Sequence, residues 1–419
     1  MRTNPGVWCL CCLLLACAST ATTPGASSSH PPATGAATVT FAEDLAFLQK
    51  HSPVVVLSDA AGQARVVVAP EYQGRVMTST ATGDAGPSFG FIHREVIAGH
   101  ERKPHMNVFG GEDRFWLGPE GGQYALYFPP GAKFELATWQ VPEPLDWGAW
   151  SVSVQTPNEL RVHRDMQLTN YSGATFSVAV ERTVRVLERP AIASAFGVDI
   201  PKHLGLVGYE SVNRIVNAGD APWLKETGLL SIWILGMYKP SSHTTIVIPF
   251  RAGPEAELGP VVNDAYFGKV PADRLRIDDG VMFFRGDGTQ RGKIGISRPR
   301  AKPIVGAYDA QGRVLTLVQY SLEDTATDYV NSMWEEQQQP YAGDVVNSYN
   351  DGPPEPGKPP LGPFYELETS SKAAALAPGE SLTHQHRTLH IVGPREALSA
   401  IAQRTLGVDL DRIERAFTP

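Results

Sequence analysis

From Val54 onward, apolar and polar residues alternate with period two, the signature of half-buried strands. The alternation predicts strands at 54–57, 65–69, 124–128, 150–155, 161–168, 176–187, 246–250, 314–320, 364–369 and 388–392. Turn signals such as Asp59-Ala-Ala-Gly62, Asn170-Tyr-Ser-Gly173 and Asp309-Ala-Gln-Gly312 separate many of them. Helical spacing shows clearly only at the two ends. Thr40-x-x-Glu43 forms a capping-box pattern ahead of Phe41, Leu45 and Leu48. Near the C-terminus, Pro394 fits a first helical position, and Leu398, Ile401 and Leu406 follow at apolar spacing. Two stretches break the alternation. Gly99 to Gly122 is Gly-rich with charges and a Trp, and Asp344 to Pro363 is dominated by Pro, Gly, Asn and Asp. Both read as long loops, which often carry function. No internal repeat is visible. The pattern predicts an all-β sandwich of antiparallel sheets over residues 39–393, closed by a helix at 394–419.

The first 38 residues show no such alternation. Arg2 is followed by a short apolar run ending in Leu14-Leu15-Ala16-Cys17. That run is too short to span a membrane and reads as a signal peptide over 1–16. Leu14–Cys17 resembles a bacterial lipobox, which implies cleavage before Cys17 and acylation of its sulfur. An ordinary secretory signal with incidental cysteines is the alternative. Residues 17–38 are rich in Ser, Thr, Pro, Gly and Ala and read as a disordered tether. Ala18, in place of an Asp, resembles signals sorted to the outer membrane, facing the periplasm. All four cysteines lie at or before position 17. The mature chain therefore has no disulfide framework and no cysteine-ligated metal site of its own. The formal charge is −8 with no basic cluster, which argues against nucleic acid as a partner. The 40 glycines and 34 prolines suit a turn-rich all-β chain. Oligomeric state is left open.

Candidate chemistry concentrates near the C-terminus. In Pro363-Phe-Tyr-Glu-Leu-Glu-Thr-Ser370, alternation puts Phe364, Glu366, Glu368 and Ser370 on one strand face. Glu366 and Glu368 are then about 7 Å apart at Cα, close enough to raise one carboxyl pKa in a dry site. A solvated strand face is the alternative. The next strand places His384, His386, Thr388 and His390 on one face. The spacing predicts that it pairs with the Glu strand. The polar faces would then meet for proton transfer, with Glu366 or His386 as acid, or for a metal held by His384, His386 and Glu366. A hydrogen-bonded histidine network is the other reading. Arg182 interrupts the apolar stripe Phe176, Val178, Val180, Val184 and Val186. It pairs with a carboxylate or a substrate oxygen, or else marks a strand end or bulge. Glu112, Asp113, Arg114 and Trp116 lie in a glycine-bounded segment suited to sugar hydroxyls and an apolar ring face, or to a structural turn around one Trp. Asn347, Asn350 and Asp351 add polar groups, or plain turn chemistry, at the start of the Pro-rich stretch.

Over residues 41–393, the segments Gln73–Ser79, Phe109–Gly122, Leu229–Gly236, Asp344–Asp351 and Phe364–Ser370 resemble an uncharacterised family of bacterial lipoproteins with a galactose-mutarotase-like domain. The resemblance implies a β-supersandwich, a saccharide ligand and no cofactor. Leu367-Glu368 is similar to the Leu-Glu pair carrying the general base of aldose 1-epimerases, which makes Glu368 the candidate base. By position in an early loop, Arg114 resembles their substrate-binding arginine. Leu168–Ser172, in a region like the one holding an epimerase histidine, contains no His. The resemblance thus implies a sugar epimerase or another proton-transfer enzyme, with a non-catalytic carbohydrate binder or a metal-dependent enzyme as alternatives.

Overall fold

The computed structural model describes residues 39–417. The signal segment, Cys17 and the whole of the tether lie outside the described residues. The described residues form antiparallel sheets of three, ten and five strands. The ten-stranded sheet runs, in spatial order, Leu275–Asp278, Val281–Arg285, Thr244–Pro249, Ile304–Asp309, Val314–Tyr320, Ser381–Val392, Gly205–Asn217, Thr175–Val186, Glu159–Thr169 and Ser151–Gln155. The five-stranded sheet runs Gly292–Ser297, Asp344–Asn350, Tyr365–Ser370, Ser231–Tyr238 and Arg114–Gly118.

The two larger sheets pack face to face. Phe115, Leu117, Ile232 and Ile234 of the smaller share a core with Val162, Val180, Tyr209 and Ile215 of the larger. Val66, Val68 and Val76 of the three-stranded sheet join the same core. On its other face the ten-stranded sheet carries helices. Leu398, Ile401, Leu410 and Ile413 pack on Leu315, Leu317, Leu389 and Ile391. The fold is therefore all-β and antiparallel, with short helices outside, as the alternation predicts.

Helices form at both ends. Thr40 caps the helix Phe41–His51 in a complete capping box, and Arg395–Leu406 follows Pro394, which is the N-cap rather than the first helical residue. The single helix expected over 394–419 is instead broken at Gly407, which takes a left-handed conformation, and a second helix runs Leu410–Glu414. The 124–128 strand does not form. Ala125 to Phe128 are all buried in a loop, so their apolar character is packing and not pleat. Conversely, Arg114–Gly118 and Asp344–Asn350, expected as loops, are strands of the smaller sheet. Every residue of Ser231–Tyr238 is buried, so that strand shows no alternation to read.

The predicted pairing of the Glu and His strands is wrong. Tyr365–Ser370 lies between Asp344–Asn350 and Ser231–Tyr238, while Ser381–Val392 lies in the other sheet between Val314–Tyr320 and Gly205–Asn217. The 371–380 connection is long enough to cross between the layers instead of turning as a hairpin.

Candidate functional site

The smaller sheet has an inner face toward the sandwich and an outer face, and period two sorts its residues between them. Ile294, Ile296, Val346, Leu367, Thr369, Ile234 and Phe115 point inward. The outer face is set by register. Arg114 pairs with Leu235, Leu235 with Glu368, and Glu368 with Asn347. One step along, Lys293 pairs with Tyr349, Tyr349 with Glu366, and Glu366 with Met237. Trp116, Trp233 and Ser370 form the next row. This face is the floor of a cleft of about 280 Å³. Loops wall it with His105, Glu120, Leu136, Trp139, Phe267, Arg291, Trp334, Leu361 and Phe364.

The floor is charged and nearly dry. Arg114 Nη2 donates to Glu366 Oε1 at 3.0 Å, with both side chains under a tenth exposed. Lys293 Nζ and Trp233 Nε1 donate to Glu368 Oε2 at 3.1 and 2.9 Å. Trp139 Nε1 donates to Glu120 Oε1 at 3.0 Å. Burial raises the Glu366 pKa. The Glu368 charge adds to the rise, while Arg114 and Lys293 oppose it. Burial also raises Glu120, against the pull of Lys293. Burial alone would lower Lys293, but Glu368, Glu120 and Glu366 outweigh it and raise the ammonium pKa. Beside the floor, near Gly295, burial pushes Asp344 up to about 6 while Tyr266 Oη and Asn263 Nδ2 donate to it.

Among the described residues, the buried atoms on this face without a hydrogen-bond partner include Arg114 Nε, Trp116 Nε1 and Glu368 Oε1. Two are donors on residues that line the cleft. Such groups are costly to leave unmade and point to an acceptor supplied from outside the chain.

The structure thus brings Glu366, Glu368, Arg114, Trp116 and Asn347 to one face. The period-two spacing of the two glutamates is as expected. Trp116 is not an open stacking platform, because the Arg114 guanidinium sits 3.9 Å from its ring centroid. Asn347 neighbours Glu368 and donates to the Ile294 carbonyl at 3.3 Å. Asp351 stands behind the cleft. Its oxygens accept from Tyr349 Oη at 2.7 Å and Gly362 N at 2.8 Å, which fixes a lining ring and the loop before Phe364. Asn350 pins the neighbouring turn through Gly288 N and the Gln290 carbonyl.

The other candidates sit inside the sandwich and do not reach the cleft. Glu112 accepts from Ser79 N, Tyr209 Oη and His390 Nε2. Asp113 pairs with Arg182 at 2.6 Å, both side chains fully buried. Arg182 is therefore paired to a carboxylate, and no bulge or strand end is needed to explain it. Glu112 and Asp113 precede the strand that begins at Arg114, where the chain still lies against Arg75–Thr80 through the Val76–Asp113 bridge. Gly110 and Gly111, both at positive φ, permit that approach, since a Cβ on Gly110 would meet the Phe91 carbonyl oxygen at 2.0 Å.

His386 is likewise no part of the groove. His384 Nε2 and His386 Nδ1 both bond Thr369 Oγ1 at 2.9 Å, on the inner face of the Glu strand. Burial pushes His384 down to about 3 and His386 to about 4, so both are neutral at pH 7. Glu366 projects to the opposite face from Thr369, so His384, His386 and Glu366 cannot converge on a metal. Among the described residues no group of three or more His, Cys, Asp or Glu is placed to hold one.

Sequence reasoning missed Lys293, Glu120, Arg291 and the tryptophans 139, 233 and 334. Lys293 carried a usable signal, a lone cation opening the alternating run Lys-Ile-Gly-Ile. The tryptophans lie in loops or in a strand buried on both faces, where no pattern marks them.

Fold and site together define an antiparallel β-sandwich protein with an aromatic-walled, charged cleft on the outer face of its smaller sheet. The chain belongs to the family of unknown function DUF6786, whose model matches residues 39–417. Comparison with curated proteins gives no match. Among solved structures, the chain is similar to the Slr1438 protein of Synechocystis sp. PCC 6803, at 14% identity and TM-score 0.48, covering 82% of this chain and 96% of that one. It is also similar to a galactose mutarotase related enzyme from Lactobacillus acidophilus, at 8% identity and TM-score 0.44, covering 81% and 97%. A galactose mutarotase-like protein from Lactobacillus casei ATCC 334 follows, at 8% identity and TM-score 0.43, covering 81% and 99%. Similarity at this level leaves the chemistry of the site to be argued from its own residues.

Proposed function

We propose that the cleft binds a saccharide and that the protein holds it at the bacterial envelope on a lipid anchor at Cys17. The observation that carries the reading is the combination of aromatic walls with the buried, unpartnered donors Arg114 Nε and Trp116 Nε1. A sugar supplies an apolar ring face for the first and oxygens for the second. The volume lies near the lower end of ligand pockets, roughly 300–1,000 Å³, which suits one or two sugar units. The resemblance to mutarotase-like lipoproteins points the same way. A panel of mono- and oligosaccharides titrated into the protein, read by tryptophan fluorescence, should give saturable binding. A panel without a single binder overturns the reading. For the anchor, Cys17→Ser should release the protein from the membrane fraction, and unchanged association counts against lipidation.

A second reading, sugar epimerisation or a related proton transfer, is favoured by the neighbouring carboxyls Glu366 and Glu368, one of them raised. Glu366 is the one that meets the ligand. Glu368 has no exposed surface and is not part of the cleft wall, so it supports Lys293 and Trp233 rather than acting as the base. Glu366→Gln should then lower turnover by about 10²-fold or more, with sugar binding retained. NMR detection of anomer exchange in the same panel measures both. Binding without exchange leaves a carbohydrate-binding lipoprotein.

A further inference from the structure

We infer that the saccharide taken by this cleft is acidic, a uronate whose carboxylate sits on Arg291 at the rim. The inference rests on the saccharide reading and names the class of sugar. Arg114 and Lys293 are committed to Glu366 and Glu368. Arg291 also lines the cleft, yet no carboxylate lies within ion-pair distance of it among the described residues. Its guanidinium is held 3.7 Å from the centroid of the Phe267 ring, which fixes its position without neutralising it. Asp351 is close enough to feel that charge, but it forms no ion pair with Arg291: its oxygens accept from Tyr349 and Gly362, and burial raises its pKa toward the neutral acid. A half-buried cation, oriented and without a counter-ion at the mouth of a ligand cleft, is a site for an anion.

The charge of that anion is limited by what surrounds it. Glu120 and Glu366 line the same cleft, and Glu368 lies under it. A doubly charged phosphate on one guanidinium would face these acids, and the other Lys and Arg among the described residues lining the cleft, Arg114 and Lys293, are already paired. A single carboxylate matches one guanidinium in charge and in planar geometry. Placed at the rim, it keeps the acid group of the sugar away from the glutamates of the floor. The ring then lies over the deeper cleft, with its oxygens toward Arg114 Nε and Trp116 Nε1.

The test compares an oligouronide with its methyl ester, which keeps the shape and removes the charge. In calorimetric titration of the purified protein, the acid should bind at least about tenfold tighter than the ester at low ionic strength. The gap should narrow as salt screens the half-exposed contact. In Arg291→Gln the ratio of acid to ester affinity should fall to about twofold or less. Equal binding of acid and ester to the unaltered protein overturns the inference and leaves the saccharide reading standing. So does a ratio that survives Arg291→Gln. If neutral sugars, uronides and esters all fail to bind, the saccharide reading itself is overturned, and this inference with it.

Discussion

Two buried arginine–carboxylate pairs lie on opposite sides of the smaller sheet, and their difference separates structure from function. Arg182 and Asp113 meet at 2.6 Å inside the sandwich; Arg114 and Glu366 meet at 3.0 Å on the cleft floor. Every nitrogen of the Arg182 guanidinium has a partner: Nε the Gly74 carbonyl, Nη1 Asn213, and Nη2 both the carbonyl and the carboxylate of Asp113. Arg114 instead leaves Nε unmade and offers Nη1 only to the Met106 sulfur at 3.7 Å. The protein thus completes the hydrogen bonds of the Arg182 guanidinium. The cleft arginine retains donor capacity that a ligand can use.

The largest effect separates the two pairs by stability. Arg182→Leu strands Asp113 as an uncompensated charge in the core and should cost about 3–5 kcal/mol in chemical denaturation. Arg114→Leu removes the partner of Glu366, a carboxyl already raised by burial that can neutralise by keeping its proton. Its cost should be nearer 1.5–3 kcal/mol, the range of a lost charged hydrogen bond. Equal losses in the two variants would erase the distinction between the pairs.

A smaller effect is read in pH dependence. The folded-state pKa of Glu366 is raised, so the native protein holds a proton that the unfolded chain releases. The stability this contributes is full below the ordinary glutamate value of about 4.3 and is lost as pH rises through the raised value. Glu366→Gln removes that term. Denaturation of both proteins from acid to mildly alkaline pH should show the unaltered protein losing stability relative to the variant as pH rises. Glu120, Asp344 and Asp351, also raised, are present in both proteins, so their contributions largely cancel in the difference. A difference that is flat or rises with pH would place Glu366 among ordinary, ionised carboxylates.

The same sidedness explains what the sequence made legible. Period two placed Glu366 and Glu368 on one face and put Arg182 in a buried stripe, because strand geometry decides both. It could not say which sheet a strand joins. The His strand therefore appeared beside the Glu strand when it faces it across the core, through Thr369. Strands buried on both faces, such as Ser231–Tyr238, carry no alternation, and Trp233 went unseen with them. Loop residues such as Trp334 and Arg291 reach the cleft through long-range packing, which local pattern does not encode. The Gly110–Gly122 segment mixed both cases. Its acids Glu112 and Asp113 turn inward, while Arg114 and Trp116, which follow them, turn out to the cleft.

The smallest expected effect is an absence, and it bears on the inner side of the comparison. His384 and His386 share the Thr369 hydroxyl in the core, and burial holds both imidazoles well below the ordinary value, at about 3 and 4. The sign is opposite to that of Glu366. These bases bind fewer protons folded than unfolded. The stability they contribute is full above about 6.5 and is lost as pH falls through the depressed values. In the folded protein neither ring should titrate between pH 5 and 8, the range where exposed histidines change charge, with an ordinary pKa of about 6.5. Ring-proton NMR across that range checks this directly: two histidine resonances should stay fixed, and Thr369→Val should perturb both. Movement of either resonance with a midpoint near neutrality would mean that the inner face also holds a titrating group. The division into a sealed structural side and a chemically active cleft would then fail.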